Sequence, residues 1–239
     1  MSRKLTVLIT GANRGIGLAL TKHYISLGCE VICTCRDEQL TSMREQMLSF
    51  GGNPENVIAL TLNDSRQIER IAEVFPAKSL DILVNNAALG DASEGAKFDK
   101  MNMNEWSDVF QANTIAPVLL SKTLFPFLEA SPNPLIVMIT SHLASIELND
   151  SPDSVLYGAS KAALNSVVRR LAISPEFIDR KITLGLVHPG SVKTRLSGFQ
   201  GISTETSAQN IAAVAEKFKS GEFSSASFID SETQTVIPW

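Results

Sequence analysis

A short apolar run, Leu5-Thr-Val-Leu-Ile9, passes without a break into Thr10-Gly-Ala-Asn-Arg-Gly-Ile-Gly17. No other stretch restricts the fold as much. A continuous, β-branched-rich run reads as a strand buried on both faces, the environment of a parallel sheet. After the glycines, Leu18, Leu20, Tyr24, Ile25 and Leu27 recur at helical spacing, and Gly28 ends them. The predicted unit is strand, glycine turn, helix. Gly11 permits the tight turn, Gly15 lets backbone approach a pyrophosphate, and Gly17 lets the helix lie close to the strand. Free N–H groups and the positive dipole end at the helix start suit phosphate oxygens. Asn13, Arg14 and Ile16 belong to the same turn. The flanking strand and helix give weight to a glycine pattern that means little alone.

The rest of the chain repeats that rhythm. Glu30 to Cys35 is a second strand, with Arg36 just past its end. A helix is expected from Glu38 to Phe50, broken by Gly51-Gly-Asn-Pro54. Val57 to Leu62 is a third strand, and Ser65 is expected to cap a helix with Ile68, Ile71, Ala72 and Phe75 inward. Leu80 to Val84 is a fourth strand, running into Asn85-Asn-Ala-Ala88. Asn104 is expected to cap a long helix to Glu129, interrupted near Asn113 and Pro117. A fifth strand, Leu135 to Thr140, ends at Ser141. A helix from Ser154 to Ile173 and a sixth strand from Lys181 to Val187 follow, the strand leading into His188-Pro-Gly190. The tail holds a helix from Thr204 to Lys219 and a short strand near Ser227 to Ile229. Alternating strands and helices predict an α/β fold of Rossmann type: an open, doubly wound parallel sheet with helices on both faces. No repeat or linker divides the 239 residues, so one domain over 1–239 is expected.

Composition narrows the partners. A net charge of −4 disfavours nucleic acid and anionic membranes, which select basic patches. No run approaches the roughly 20 apolar residues that span a bilayer, and Leu5 to Ile9 is too short for a signal peptide. Cys29, Cys33 and Cys35 sit in one strand-like segment, which suits thiols in a reducing compartment. No Cys or His spacing suggests a metal. The expected location is cytoplasmic, with no metal, nucleic acid or membrane partner.

Tyr157-Gly-Ala-Ser-Lys161 carries the chemistry. On a helix, residues four apart share a face. A cation close to a phenol favours the phenolate and lowers the tyrosine pKa from about 10. Such a tyrosine can serve as a general acid or base. Taken alone, the pentapeptide reads as a solvated helix face, because short patterns recur by chance.

Taken together, Thr10-Gly-x-x-x-Gly-Ile-Gly17, Asn85-Asn-Ala-Ala88, Asn113, Ser141, Tyr157-x-x-x-Lys161 and Pro189-Gly190 with Thr194 resemble the classical short-chain dehydrogenase/reductases over nearly the full length. Ser-Ile-Glu-Leu-Asn at 145–149, Ser-Lys-Ala-Ala-Leu-Asn at 160–165 and the closing Ile-Pro-Trp239 are similar to the C-factor/sniffer-type carbonyl reductase branch. The resemblance implies a seven-stranded sheet, a nicotinamide cofactor and a small carbonyl or alcohol substrate. It implies that Ser141 binds the substrate oxygen and that Tyr157 transfers the proton. Lys161 would lower the tyrosine pKa and bind the nicotinamide ribose, and Asn113 would hold a relay water. Cofactor contacts are implied at Gly11, Asn13, Arg14, Gly15, Ile16, Gly17, Arg36, Leu62, Asn85, Ala87, Tyr157, Lys161, Pro189, Gly190, Val192 and Thr194. It also implies a homodimer or homotetramer.

The cofactor type can be argued from the residues. NAD binders place a carboxylate about 20 residues after the glycine turn, on the ribose 2′-OH. Here Cys35 occupies that place, and Arg36 and Arg14 offer guanidinium groups that suit a 2′-phosphate. NADP(H) is therefore expected over NAD(H). On the opposing view Asp37 accepts the ribose diol and both arginines face solvent.

Several residues depart from the family pattern. Ser141 and Tyr157 are 16 apart, wider than is usual, and Ser145 at a spacing of 12 is the alternative serine. Ala88 replaces a glycine, and Thr61 stands where many members carry an adenine-binding aspartate. His142 and His188 are assigned no chemistry. Loops near 89–103, 142–154 and 191–203 are expected to choose the substrate, and Lys193 and Arg195 favour an acidic one unless they are simply solvated. Two functions follow: an NADP(H)-dependent oxidoreductase moving a hydride between nicotinamide and a carbonyl or alcohol, or a C-factor-like regulatory protein with little turnover.

Overall fold

The computed structural model describes residues 3–90, 101–150, 152–193 and 200–239. Its strands are β1 (Thr6–Ile9), β2 (Glu30–Cys35), β3 (Val57–Ala59), β4 (Ile82–Asn85), β5 (Leu135–Ile139), β6 (Thr183–His188), β7 (Phe228–Asp230) and β8 (Thr235–Val236). They form one sheet in the order β3-β2-β1-β4-β5-β6-β7-β8. The first seven run parallel, as expected. The two-residue β8 returns antiparallel on β7 and makes an eighth strand that the sequence does not signal. Chain order reverses between β1 and β4. In open α/β sheets the ligand crevice lies at that reversal, beyond the carboxyl ends of the strands.

Residues one apart on a strand face opposite sides, and both sides are apolar here. Val7, Ile9, Val84 and Val137 pack with α1 (Gly15–Ser26), α2 (Leu40–Ser49) and α9 (Thr204–Ser220). Leu8, Leu83, Ile136 and Met138 pack with α3 (Ser65–Val74), α5 (Ala116–Thr123) and α7 (Val155–Leu171). This double burial is why the strands read as unbroken apolar runs. Three further helices, α4 (Met103–Phe110), α6 (Phe125–Glu129) and α8 (Pro175–Ile178), complete the described set.

Three local expectations change. The third strand stops at Ala59: Leu60 still donates to the Cys35 carbonyl, but the Thr61 N–H is captured at 2.7 Å by the Gln67 side chain, which turns the chain away. Asp64, not Ser65, caps α3, accepting from the N–H groups of Arg66 and Gln67. Asn102, not Asn104, caps α4 through the Glu105 N–H. The interruption expected near Asn113 is a π-helical turn, Gln111–Ile115, between α4 and α5, with Pro117 in the first turn of α5.

At the amino-terminal ends of the strands, opposite the crevice, Asp81 ties the start of β1 to the start of β4. Its buried carboxylate accepts from the Thr6 N–H at 2.8 Å, the Ser131 hydroxyl and the Arg3 guanidinium. Burial alone would raise its pKa, but the hydrogen bonds from Arg3, Ser131 and Thr6 outweigh that and hold it below the ordinary 3.8. A depressed carboxylate pKa adds stability that is complete above the unfolded value and is lost as the pH falls through the folded one. Asp81→Asn is therefore expected to destabilise the protein by roughly 2 kcal/mol at neutral pH, the cost of weakened partners left buried. Urea unfolding should show the gap from wild type closing as the pH falls below about 4; a gap that stays constant well below that pH would contradict this account.

Candidate active site

The glycine turn at the end of β1 is closed from behind. Thr10 Oγ1 accepts the N–H groups of Asn86 and Ala87 at 2.9 and 3.0 Å, and Asn86 Nδ2 donates to the Thr10 carbonyl at 2.8 Å. The loop after β4 is thereby locked across the turn after β1. Gly11 and Gly15 hold φ values of +65° and +56°, which favour glycine. A Cβ on Gly17 would lie 2.3 Å from the Gly11 carbonyl oxygen, so α1 can start here only without a side chain. The residue before α1 is Arg14, whose side chain makes no capping bond, and the first N–H groups of the helix keep their affinity for an anion. The cradle therefore fits a dinucleotide pyrophosphate. Asn13 and Ile16 line the same turn, with Ile16 packed against the core.

The other expected cofactor contacts are scattered around this crevice. Cys35 is buried at the end of β2, while Arg14 and Arg36 are exposed. Arg36 is not free: its Nε lies 3.1 Å from the Glu38 carboxylate. Asp37 opens an exposed 3-10 turn, Asp37–Gln39. Leu62 lies past β3, half-buried against the core. Asn85 is buried at the end of β4, and its amide donates to Ser121 Oγ at 3.3 Å on α5. Pro189, Gly190 and Val192 follow β6. Gly190 takes φ +84°, the Pro189 carbonyl accepts from Ser207, and Val192 pairs with Ile202. Thr194 and Arg195 lie outside the described residues.

The chemical groups converge at the end of β5. Lys161 on α7 is 2% exposed, and its Nζ donates to the Ile139 carbonyl at 2.8 Å. The same Nζ lies 5.7 Å from the centre of the half-buried Tyr157 ring. Two residues beyond Ile139, Ser141 opens a 3-10 turn, His142–Ala144, and its Oγ accepts the Leu143 N–H at 3.2 Å. That bond occupies a lone pair and leaves the hydroxyl proton for a substrate oxygen. Ser145 is 1% exposed, and its Oγ accepts the Leu148 N–H within the loop.

Asn113 is buried in the π-helical turn. Its Oδ1 accepts from the Leu89 N–H, and its Nδ2 donates to the Leu89 carbonyl and to Ser160 Oγ, at 2.8, 2.8 and 3.0 Å. Both amide hydrogens are committed, so the side chain has no donor left for a relay water. It clamps the chain after Asn85-Asn-Ala-Ala88 to α7. Thr114 Oγ1 adds a bond to the Ser160 carbonyl at 2.8 Å.

Ser160 and Gly158 carry roles that the spacing of Tyr157 and Lys161 does not announce. Ser160 is the anchor just described. A Cβ on Gly158 would stand 3.1 Å from the Leu143 carbonyl oxygen, so a bare backbone lets the turn after Ser141 rest on α7 beside Tyr157.

Residues 5–204 match the short chain dehydrogenase family. The chain belongs to that family. Among its relatives is the short-chain dehydrogenase RED3 of Pyricularia oryzae, 29% identical over 256 residues and covering 100% of both chains. The NADPH-bound carbonyl reductase from chicken fatty liver is 28% identical, with a TM-score of 0.83 and 100% of both chains covered. The carbonyl reductase Sniffer of D. melanogaster is 25% identical, with a TM-score of 0.85, covering 99% of this chain and 100% of that one. This short-chain dehydrogenase is a nicotinamide-dependent oxidoreductase acting between carbonyl and alcohol. Among the described residues no cluster could hold a metal ion, and no helix is long and apolar enough to cross a membrane.

Lys161 is costly to keep. Burial lowers its pKa from 10.5 to about 7. Below pH 7 both folded and unfolded chains carry the proton, and the folded one bears the full desolvation penalty. Between about pH 7 and 10.5 the unfolded chain binds more protons, so stability rises with pH in that window. Replacing Lys161 by Met, of similar length, should therefore stabilise this short-chain dehydrogenase by a few kcal/mol at or below neutral pH, less the lost bond to Ile139. The gain should shrink toward pH 10. Thermal unfolding across that range checks it; a Met variant less stable than wild type at pH 6 would overturn the account.

Proposed function

We propose that this protein reduces an aldehyde or ketone with NADPH and oxidises the corresponding alcohol in reverse. The observation that carries it is the convergence of Ser141, Tyr157 and Lys161 at the carboxyl end of β5, with Lys161 fixed to Ile139. The dinucleotide, when bound, supplies the hydride. The Ser141 hydroxyl donates to the carbonyl oxygen and holds it. Tyr157 passes its proton to the same oxygen as negative charge develops there. The Lys161 ammonium favours the phenolate that remains. Asn113 positions α7 and the loop after β4. Gly11, Gly15, Gly17 and the start of α1 would hold the pyrophosphate, and Arg14 and Arg36 the 2′-phosphate. The NADPH carried by the chicken relative supports that choice. An intact Ser141, Tyr157 and Lys161 set favours turnover over a C-factor-like regulatory role. The proposal extends to a single domain over 1–239, a cytoplasmic location and a homodimer or homotetramer.

Oxidation of NADPH with a panel of aldehydes and ketones tests the chemistry. Tyr157→Phe should lower kcat by about 100-fold or more without weakening NADPH binding, as expected when a general acid is lost. A wild type with no Tyr157-dependent turnover on any carbonyl would favour the regulatory reading. The cofactor assignment has its own test. Arg36→Asp should reverse the preference between NADPH and NADH. Glu38→Gln, which releases Arg36 from its exposed ion pair, should tighten NADPH by about threefold and leave NADH unchanged. Equal effects on both dinucleotides would sink the 2′-phosphate assignment.

A further inference from the structure

The ladder between β5 and β6 does not end where the main-chain pairs end. Ile139 pairs with Val187, and the Thr140 N–H still donates to the Val187 carbonyl at 2.9 Å. One residue later β5 has become the loop that carries Ser141. The His188 carbonyl faces β7 and accepts the Ser231 N–H at 2.9 Å, and the next carbonyl on the β5 side, that of Pro189, is taken by the Ser207 hydroxyl at 2.7 Å. The His142 N–H nevertheless finds an acceptor: His188 Nδ1, at 3.1 Å. We propose that His188 is a positioning residue, its imidazole replacing the missing rung of the ladder and thereby holding Ser141 in its substrate-facing orientation. The proposal rests on the reading of Ser141 as the hydroxyl that binds the carbonyl.

The amides on either side of Ser141 are then both tied to β6, one by a carbonyl and one by a ring nitrogen. Its own Oγ is turned by the Leu143 N–H. Losing the His188 bond would free one side of that frame. The His142 N–H would also be left without its partner at the mouth of the crevice.

The bond has a chemical requirement. Nδ1 accepts only in the neutral ring with its proton on Nε2. Burial is the main cause that lowers the His188 pKa, to about 4; Asp230 opposes it and His142 adds to it. The groups facing the ring fit a neutral imidazole. The His142 ring centre is 5.8 Å away. Asp230, paired with His188 in the β6–β7 register, spends Oδ1 on the N–H groups of Glu232 and Thr233. Glu232 reaches toward Gly190, where an added Cβ would lie 3.2 Å from its Oε2. No cation among the described residues is paired with either carboxylate.

Two substitutions separate positioning from bulk structure. Asn places an acceptor oxygen as many bonds from Cα as Nδ1, whereas Leu keeps the branching and removes the acceptor. His188→Leu should lower kcat for carbonyl reduction about tenfold, with the NADPH Kd within about twofold of wild type, because a misaimed hydroxyl affects the reacting geometry first. His188→Asn should recover kcat to within about threefold, the residual loss reflecting an imperfect hydrogen bond. Equal losses in the two variants, no loss in the Leu variant, or a loss confined to NADPH affinity would each overturn the proposal. A readout that does not need turnover is nitrogen-15 NMR of the wild-type histidines with hydrogen exchange of the His142 amide. The Nε2–H tautomer of His188 should persist down to about pH 5, with the His142 amide protected. An Nδ1–H tautomer, or a charged ring at about pH 6, would refute it even if the Leu variant does not fold. Absence of any Tyr157-dependent turnover in the wild type would instead strike the function proposed above and leave the NMR test standing.

Discussion

An ammonium group is buried at the end of a central strand with one carbonyl to hold it, and much of the surrounding structure can be understood as the means of keeping it there. Ile139 belongs to β5, which is paired on both sides by β4 and β6 and cannot recede. Lys161 belongs to α7, which is pinned at the adjacent residue: Ser160 receives Asn113 Nδ2 on its hydroxyl and Thr114 Oγ1 on its carbonyl. Neither end of the bond can drift. A desolvated ammonium costs several kcal/mol, a large share of the 5–15 kcal/mol by which domains are typically stable. The π-helical turn has its explanation in this demand. It sets Asn113 and Thr114 against Ser160 while α4 and α5 run on either side. A regular helix would place those two side chains differently.

The same elements show what can be read from a sequence of this kind. Strands buried on both faces need apolar residues at every position, so β1, β2, β4, β5 and β6 stand out without ambiguity. The glycine turn is equally plain, because Gly11 and Gly15 take positive φ and Gly17 leaves no room for a side chain. What is hidden depends on which of several eligible side chains wins a local competition. Asp64 and Ser65 are both good caps, as are Asn102 and Asn104, and composition does not choose between neighbours. The early end of β3 depends on Gln67 reaching back to the Thr61 N–H. Tyr157 and Lys161 are legible by their spacing. Gly158 is not, because its meaning lies in the approach of the Leu143 carbonyl, a residue 15 positions away. Asn113 is legible as a break in a helix, but its two committed amide hydrogens are a matter of geometry alone.

The two halves of the site are held by different kinds of contact. Around Ser141, Lys161 and Asn113 most partners are main-chain groups, the carbonyls of Ile139 and Leu89 and the N–H groups of Leu89 and Leu143, with Ser160 Oγ and the His188 ring the side-chain partners. Main-chain partners are insensitive to substitution, so most of this half is bound to the fold itself. At the end of β2 the contacts are between exposed side chains. An exposed ion pair such as Arg36 with Glu38 is worth under about 1 kcal/mol, whereas a charge-assisted bond from a guanidinium to a phosphate is worth about 1.5–3 kcal/mol. Glu38 can therefore temper the proposed hold on a 2′-phosphate without preventing it. Cys35, which neither accepts a ribose hydroxyl strongly nor repels a phosphate, leaves the decision to these exposed neighbours. On the proposed assignment, cofactor choice rests on a few exposed side chains, and it can change without disturbing the chemistry at the other end of the crevice.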